Sequence, residues 1–422
     1  MPATIAVQDL KIGMFIRLDL GWMSHPFPLS AFKIASADQI TTIQGLGLKH
    51  ITWLPEKSDL PDQQAQAAPE APAPAPDAAA QAAAQRRAQL AEQREAMRHC
   101  EAQYNEASQT LQQITALLVP DPATAADHAQ ALARTMLNKM LGAGDLVIRL
   151  LSGQSSDRQT AHALNVTVVS MLMGRMLGFS EAELMDVGTG ALLHDIGKLD
   201  LPVRVHHPED GFSSAEHKAY RDHVTLGVAR GRRMNLAPGV LQVLQQHHEM
   251  ADGTGFPTRL SLDGMSPAAR LVALVNRYDN LCNPGPRGTA LTPHEAVSVL
   301  FAQNRNKFDL AMLSGFIRMM GVYPAGSTVQ LTDDRYAMVM QVNSSRPLKP
   351  RVLVHDTRVP RDEALLLDLE TQADLGIRRS IAPAKLPPAA ASYLAPRARI
   401  AYFFENGAPV DDTAAAPAEQ GA

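Results

Sequence analysis

A histidine and an aspartate stand side by side within residues 192–198, an otherwise apolar stretch that ends in Gly-Lys. His194 and Asp195 offer an imidazole nitrogen and a carboxylate oxygen from one helix end, a donor set suited to manganese, iron, zinc or nickel. Lys198 lies one turn after His194, so its ammonium group can face the same cavity and donate to a phosphate oxygen as charge develops there. This pattern predicts a divalent-metal site of the kind that hydrolyses phosphate esters.

Two adjacent histidines, His247 and His248, precede a turn sequence at residues 252–257. Consecutive residues of a helix point about 100° apart, so both imidazoles can reach one metal only near the end of a helix. The Gly- and Pro-rich turn supplies such an end. The pair and the turn together predict a second set of metal ligands.

Isolated histidines carry a weaker signal. His162 and His223 lie on separate predicted helices among apolar neighbours, where a lone histidine is more often a hydrogen-bonded core residue than a ligand. His206, His207 and His217 lie in a polar connecting stretch, and we expect them to be exposed and without a functional role. Their surroundings alone leave open whether His162 and His223 bind metal.

The order of these motifs is more specific than any one of them. A single histidine is followed by His-Asp-x-Gly-Lys at 194–198, a second single histidine, and His-His-Glu-x-x-Asp-Gly-x-Gly-aromatic-Pro at 247–257. This order resembles the HD-GYP family of cyclic-di-GMP phosphodiesterases, a branch of the HD superfamily. The resemblance covers residues 154–326 and includes the passage 319–327 that closes such domains.

The resemblance implies a pair of divalent metal ions that share one carboxylate. The ligands that it implies are His162, His194 and Asp195 for the first ion, and Asp195, His223, His247 and His248 for the second. Iron or manganese is expected, with zinc, nickel or magnesium as alternatives, and a bridging hydroxide would open cyclic-di-GMP to the linear dinucleotide or to GMP. Asp195 and Lys198 are then the catalytic residues. Lys198 also binds the phosphate, and Glu249 orients a histidine from outside.

One metal ligand of the family is altered in this chain. A further aspartate of the family corresponds to Asn276, whose amide oxygen can still coordinate metal but carries no negative charge. Asp279 is not expected to replace it, because a shift by one helical turn moves a carboxylate by about 5 Å. Arg158 stands where members with a third metal have glutamate, so we expect at most two ions and a solvated Arg158.

The loop that holds the substrate's phosphates in the family has also changed. Its two cationic positions correspond to Gly285 and Gly288, and Arg287 between them is the candidate to bind phosphate from a shifted position. Phe256 replaces the signature tyrosine and loses only a hydroxyl group, so its ring can still pack in its loop.

Two functions therefore remain open. In the first, the chain is a phosphodiesterase that hydrolyses cyclic-di-GMP in bacterial second-messenger signalling. In the second, a degenerate HD-GYP domain senses cyclic-di-GMP or binds a protein partner, with the Gly255-Phe256-Pro257 loop as the contact. A general HD nucleotide hydrolase is disfavoured by the second histidine pair, and a scaffold acting through the helix at 81–118 is the remaining alternative.

The elements that must position these residues indicate a multidomain, mainly α protein. Helical periodicity dominates residues 119–326, which we predict to be an all-helical HD-type domain, and a strand-rich appendage follows at 327–405. An Ala- and Pro-rich linker is predicted at 59–80 and a disordered tail at 406–422.

The N-terminal residues 1–58 alternate short apolar runs with Gly and Pro breaks, which predicts a small α+β module. Within it, residues 13–16 and 22–27 look like a domain of unknown function that often precedes HD-GYP domains.

A predicted helix at 81–118 carries apolar residues spaced by seven, from Leu90 to Leu118, with a weaker second column that includes Cys100. Two alternatives stay open for it. The helix packs on its own domain, or it forms a homodimer through a parallel coiled coil. In a dimer Cys100 would face its symmetry mate, and its alternative role is that of a small buried residue.

The whole-chain composition excludes several classes of protein. A net charge of −4 over 422 residues, without a long basic stripe, argues against a nucleic-acid partner. The two cysteines, with no CxxC spacing, indicate a reducing compartment and exclude a disulfide scaffold. Since no apolar run approaches about 20 residues, we expect no membrane partner and a cytoplasmic protein.

Overall fold

The computed structural model describes residues 3–21, 24–27, 29–59, 78–142, 146–151, 157–209, 211–343 and 347–406. The chain divides into two compact units, Met1–Gln109 and Thr110–Ala422. Helix predominates in the described residues, with a small sheet in the first unit and a strand-rich region late in the second, which confirms the predicted mainly α fold class. Most of the predicted linker and nearly all of the predicted tail lie outside the described residues.

The first unit begins with four short antiparallel strands and one helix. These elements are β1 (Ala3–Ala6), β2 (Phe15–Arg17), β3 (Ala31–Lys33), α1 (Ala37–Gln44) and β4 (His50–Trp53), with the strands in the order β1-β4-β2-β3. The Ser36 side chain caps α1 by accepting a hydrogen bond from the Gln39 amide. Ile16, Ile34 and Ile43 lie in the buried core of this sheet and helix. This small α+β fold agrees with the alternating apolar pattern of the sequence.

A long helix, α2 (Ala78–Leu117), covers most of the segment with the seven-residue repeat. The residues of the repeat from Cys100 onwards are buried within the single chain, whereas Leu90 and Met97 are half-buried; the buried ones are Cys100, Tyr104, Ala107, Leu111 and Ile114 in α2 and Leu118 directly after it. A residue that is already covered cannot face a symmetry mate, so the idea that Cys100 lies at a dimer seam is wrong. A homodimer through α2 stays a prediction, restricted to the half-buried positions before Cys100.

Eight helices form most of the second unit. They are α3 (Pro122–Leu141), α4 (Arg158–Met176), α5 (Glu181–Leu193), α6 (Ser214–Arg233), α7 (Pro238–Gln246), α8 (Pro267–Cys282), α9 (Pro293–Ala302) and α10 (Leu310–Met320). All except α7 begin at a Ser, Thr or Asp whose side chain accepts a backbone N–H of the first turn. These caps fix where the helices that carry the histidines begin.

The strand-rich region shares one sheet with a strand between α3 and α4. Its elements are β5 (Leu146–Leu150), β6 (Thr328–Leu331), β7 (Tyr336–Asn343), β8 (Arg351–Val354), β9 (Leu367–Asp368), β10 (Ile377–Ser380), α11 (Pro388–Leu394) and β11 (Tyr402–Asn406). The main path runs β10-β6-β7-β5-β11, and β8 pairs with both β7 and β9.

The prediction of an all-helical domain over 119–326 is wrong at β5. This strand pairs antiparallel with β7 and with β11, where Leu150 lies opposite Tyr402. A short apolar run such as Leu-Val-Ile-Arg-Leu has no periodicity that separates a buried strand from a helix, which explains the error. The strands after α10 are therefore not a separate appendage, because their sheet includes a strand from the middle of the chain.

Candidate metal centre

Four helices of the second unit bring the predicted ligands to one place. The side chains are His162 on α4, His194 and Asp195 at the end of α5, His223 on α6, and His247 and His248 at the end of α7. They form a first cluster of His162, His194 and Asp195 and a second cluster of Asp195, His223, His247 and His248, in each of which the ligand atoms lie within 4.8 Å of one another. Asp195 belongs to both clusters, as the resemblance implies.

The two oxygens of Asp195 face different clusters. Oδ2 lies 3.7 Å from Nε2 of His162 and 3.4 Å from Nε2 of His194. Oδ1 lies 3.5 Å from Nε2 of His223 and 3.8 Å from Nε2 of His247, and it is buried without a hydrogen-bond partner. An unpaired buried carboxylate oxygen is costly, so its place between two imidazoles is where a cation fits.

A glycine allows Asp195 to approach the second cluster. The turn Ile196–Asp200 follows Asp195 and packs against α6. A Cβ atom at Gly197 would lie 1.9 Å from the carbonyl oxygen of His223 and 2.5 Å from the amide nitrogen of Gly227. Only glycine lets the two backbones approach this closely, which gives the Gly of the His-Asp-x-Gly-Lys motif a steric explanation.

Hydrogen bonds to Nδ1 aim the histidine rings. Three of the rings donate from Nδ1 to the carbonyl of the residue three positions earlier: His194 to Ala191 at 2.8 Å, His247 to Leu244 at 2.9 Å, and His223 to Tyr220. His162 instead donates from Nδ1 to Oδ2 of Asp279, over 2.6 Å. Each ring therefore presents its Nε2 lone pair to the cluster, as metal-binding histidines do.

These lone pairs meet at distances that fit a shared cation. Nε2 of His162 and of His194 are 3.1 Å apart, and Nε2 of His223 and of His247 are 3.2 Å apart. Two bare lone pairs repel at this distance. A metal with bonds of about 2.1 Å to two adjacent ligands would hold their nitrogens about 3.0 to 3.4 Å apart. The residues present therefore fit two divalent ions.

Burial favours the neutral form, which is the form that binds metal, for four of the imidazoles: those of His194, His223, His247 and His248. It lowers the pKa of His194 to about 4, against the attraction of the Asp195 charge. Burial also holds the pKa of His247 and of His248 well below the usual value. Burial alone would raise the pKa of Asp195, but Lys198 and the histidines outweigh it and keep that carboxyl ionised. The centre thus offers neutral nitrogens around one negative carboxylate.

Lys198 lies against Asp195 rather than free in the cavity. Its Nζ is 2.6 Å from Oδ2 of Asp195 and 5.6 Å from the centre of the Tyr220 ring. Burial lowers the pKa of Lys198, but the attraction of Asp195 outweighs this effect and raises it, so the side chain is protonated at neutral pH. The predicted phosphate donor is therefore present and charged at the edge of the first cluster.

The loop after the histidine pair packs on the second cluster. The Phe256 ring stacks on His248 with ring centres 4.6 Å apart, in line with the packing expected for the residue that replaces the signature tyrosine. His248 Nε2 lies 3.3 Å from the Tyr220 hydroxyl.

The expectation that Glu249 orients a histidine is wrong. Glu249 is fully buried and accepts three backbone N–H groups of residues 258–260, because this acceptor closes the loop.

The position of the altered ligand is buried. Asn276 is 2% exposed, and its side-chain oxygen accepts a hydrogen bond of 2.6 Å from Nδ2 of Asn280. An amide oxygen has two lone pairs, so one remains for another partner.

The expected solvation of Arg158 is wrong, because its guanidinium group is partly buried and donates to the carbonyl of Pro284.

The altered phosphate loop has little room for longer side chains. A Cβ atom at Gly285 would lie 2.6 Å from Cβ of His207, and one at Gly288 would lie 2.6 Å from Cβ of Pro284. Arg287 forms an ion pair of 2.6 Å with Glu209, and its side chain is 72% exposed. The structure therefore pairs this candidate phosphate ligand with a carboxylate.

A cavity of about 210 Å³ opens beside the first cluster. His162, Asp195 and Lys198 line one side, and α2 contributes Leu111 and Thr115 from outside the helices that carry the ligands. The heptad pattern did not predict that α2 lines this cavity, because such a pattern identifies the buried face of a helix but not the residues or the cavity against which that face packs.

Two histidines differ from the predicted exposure. His206 is buried, with Nδ1 lying 3.0 Å from Nε2 of Gln159, and His207 lines the cavity. Burial, followed by the charges of Lys198 and Arg158, lowers the pKa of His207 to about 4. His217 is exposed as expected. The fold therefore buries His206 and brings His207 to the cavity although their segment is polar, and the polarity of the segment does not predict this.

Comparisons with known proteins match two successive parts of the chain to two families. Residues 3–129 match a family described as Domain of unknown function (DUF3391), and residues 145–312 match the HD domain family. No helix of the described residues is long and apolar enough to cross a membrane.

Three relatives are named as cyclic di-GMP phosphodiesterases. One from Pseudomonas aeruginosa is 26% identical over 84% of this chain and 85% of its own length. PdeB of Borreliella burgdorferi is 21% identical over 47% of this chain and 52% of its own, and the response regulator RpfG of Xanthomonas campestris is 29% identical over 36% and 40%. The chain thus spans most of the first relative and about half or less of the other two.

Among solved structures, an HDG"Y"P protein from Bdellovibrio bacteriovorus aligns with 75% of this chain and 98% of its own, at 15% identity and a TM-score of 0.42.

Proposed function

We propose that this chain, which joins a DUF3391 domain to an HD domain of the HD-GYP type as its motifs predict, is a metal-dependent phosphodiesterase that hydrolyses cyclic-di-GMP. Its place is in bacterial second-messenger signalling. The proposal is supported by relatives that are named as cyclic di-GMP phosphodiesterases, one of which aligns with 84% of the chain.

The position of Asp195 carries the proposal. Its two oxygens each face a different pair of imidazole nitrogens at 3.4 to 3.8 Å, which is the arrangement that a carboxylate shared by two ions requires. When bound, two divalent ions lower the pKa of a water molecule and neutralise charge on the phosphoryl oxygens. A structural role alone would leave no reason for the buried Oδ1 to lack a hydrogen-bond donor.

The cavity beside the first cluster holds the scissile phosphodiester. Its volume of about 210 Å³ is below the roughly 300 to 1,000 Å³ of pockets that enclose a whole small ligand. One phosphate and part of one nucleoside therefore enter, and the rest of the cyclic dinucleotide stays outside. Lys198, protonated and 8% exposed at the cavity wall, donates to a phosphate oxygen.

Turnover and metal content test this function together. The protein is purified without oxygen, its metals are measured by elemental analysis, and nucleotide products are separated by chromatography. We expect two ions per chain and conversion of cyclic-di-GMP. Asp195→Asn keeps the size of the side chain but removes the charge that both clusters share, so it is expected to lose metal and to lower turnover more than about 100-fold.

His217→Gln is the matched control, because His217 is an exposed histidine on α6 in the same unit. It is expected to keep both ions and full turnover. A wild-type protein that binds two ions and leaves cyclic-di-GMP intact would contradict the proposed function.

A second function is favoured by the altered positions. Asn276 brings no charge to the first cluster, and Gly285 lies so close to His207 that a cationic side chain would collide there. These features suit a domain that binds cyclic-di-GMP, or a protein partner at the Gly255-Phe256-Pro257 loop, without hydrolysis.

Asn276→Asp separates the two functions. If the wild type is inert and Asn276→Asp gains metal and turnover, the missing carboxylate accounts for a lost activity. Binding of cyclic-di-GMP without turnover in both proteins would support the sensor.

A further inference from the structure

We propose that the C-terminal strand β11, with the two residues before it, belongs to the metal centre because it positions His162 through a buried network of hydrogen bonds. The inference rests on the proposed function in so far as the first cluster binds a metal ion. The residues involved at 400–402 lie outside the part of the chain that matches the HD domain family, residues 145–312.

The network begins at the ring of His162. Nδ1 of His162 lies 2.6 Å from Oδ2 of Asp279, which is 1% exposed. The other oxygen, Oδ1, accepts hydrogen bonds from Nδ2 of Asn165 at 2.7 Å and from Nδ2 of Asn283 at 2.9 Å. Asp279 can therefore rotate only if both amides release it.

Both amides are tied to the backbone of the C-terminal segment. The Nδ2 groups of Asn165 and Asn283 each donate a second hydrogen bond to the carbonyl of Ile400, at 2.8 and 2.9 Å. Their side-chain oxygens accept from backbone amides, Asn165 from Tyr402 at 2.9 Å and Asn283 from Ile400 at 2.7 Å. All three hydrogen-bonding positions named for each amide are thus used, and a flipped amide would lose them.

The strand that closes this network is itself held firmly. Backbone pairing joins β11 to β5 from Tyr402 opposite Leu150 onwards. The Tyr402 hydroxyl lies 2.9 Å from the hydroxyl of Tyr278, the residue before Asp279, and 3.1 Å from the carbonyl of Ala325. Because β11 is fixed both to the sheet and to α8, it can hold the two amides in one orientation.

The first cluster needs this support more than the second. His194, His223 and His247 donate from Nδ1 to a carbonyl three residues earlier in the chain, whereas His162 has a carboxylate from α8 as its partner. Partners that orient a metal-binding histidine from outside affect metal affinity by about 10- to 100-fold. Asn165 and Asn283 are accordingly positioning residues, since they act on His162 through Asp279.

Asn165→Asp in the full chain tests the inference. The substitution keeps the shape of the side chain but replaces the donor to Asp279 with a negatively charged oxygen, so Asp279 and His162 must shift. Mn²⁺ titration of the metal-free protein, followed by electron paramagnetic resonance, is expected to show about a 10- to 100-fold loss of affinity at one ion and an unchanged second ion. Unchanged affinity at both ions would overturn the inference.

Asn283→Ala is the second variant, because Asn283 is only half-buried and its loss is less damaging to folding. It is expected to weaken the same ion in the same direction. Phe404→Leu is the matched control, since Phe404 is a buried residue of β11 whose backbone and side chain take no part in the network. It is expected to lower the melting temperature and to keep both Mn²⁺ affinities, and an equal loss of Mn²⁺ in this control would overturn the inference.

The titration also separates this inference from the proposed function. A wild type that binds two Mn²⁺ ions without hydrolysing cyclic-di-GMP contradicts the function, yet the Asn165→Asp result still decides the inference. A wild type that hydrolyses cyclic-di-GMP with an Asn165→Asp variant of unchanged Mn²⁺ affinity contradicts the inference alone.

Discussion

The first and second clusters share Asp195 but aim their histidines in different ways. In the second cluster, His223 and His247 each donate to a carbonyl three residues earlier, so the helix that carries the ring also orients it. In the first cluster, His194 is oriented in the same local way, but His162 depends on Asp279, which lies 117 residues later in the chain. The difference shows that a helix can orient His223 and His247 by itself, whereas the orientation of His162 depends on a contact with a distant helix.

The largest effect is expected from Gly197→Ala, which separates the two clusters. The new Cβ would collide with the carbonyl oxygen of His223 at 1.9 Å, so the turn that carries Asp195 must move away from α6. We expect a loss of about 3 kcal/mol in the free energy of unfolding and of both ions, measured by denaturant titration and elemental analysis. Gly211→Ala is the control, because an added Cβ there would have no atom of the described residues, apart from its chain neighbours, within 4 Å. Retention of two ions in Gly197→Ala would contradict the steric argument.

Single-ligand variants test whether the clusters bind metal independently. His162→Ala is expected to lose the first ion and keep the second, and His247→Ala is expected to do the reverse. Turnover should fall by about 100-fold or more in each, because the proposed function requires both ions to act on the same phosphate. Elemental analysis checks this expectation. Loss of both ions in either variant would show that the clusters fill together.

The same two variants allow the affinities of the clusters to be compared. His247→Ala leaves only the first cluster; if Asn276 is its further ligand, as the motif resemblance implies, this variant should bind Mn²⁺ about tenfold more weakly than His162→Ala. Competition with a chelator measures both dissociation constants. Adding Asn276→Asp to His247→Ala should close the gap, and equal affinities before this addition would contradict the assigned effect of Asn276.

The smallest effect is expected at the cavity wall. Thr115→Trp adds a large ring where α2 lines the cavity, so KM for cyclic-di-GMP should rise several-fold while the metal content stays the same. Ala116→Trp is the matched control, because Ala116 is exposed on the same helix and does not line the cavity. Steady-state kinetics distinguish the two, and an unchanged KM in Thr115→Trp would place the substrate elsewhere.

The sequence predicts which residues form the two clusters better than it predicts which residues orient them. The motif order identified all six residues that the two clusters bring together, and helical periodicity located the helices that carry them. The partner of His162 escaped prediction because spacing along a helix cannot show which distant side chain meets an imidazole. Asp279 was considered only as a metal ligand, and nothing in the pattern around Asn165 or Asn283 distinguishes a positioning amide from a surface one.

Buried polar groups caused the other differences. Glu249 follows the histidine pair directly, yet it satisfies backbone amides of its own loop, because a buried chain turn must pair its N–H groups. His207 also differs from its prediction. Its segment is polar in sequence and was expected to be exposed, but in the fold Gly285 packs against His207. Sequence patterns record which residues are polar, and only the fold decides which of them remain in water.

The hydrogen bond between Asn165 and Ile400 also has a consequence for the order of folding. It joins residues 235 positions apart, so the ring of His162 acquires its final orientation only after nearly all of the described chain has emerged from the ribosome. Contacts of such wide separation form late and slowly. The rings of His223 and His247 can be oriented as soon as α6 and α7 form, whereas the ring of His162 reaches its final orientation only when β11 has joined the sheet.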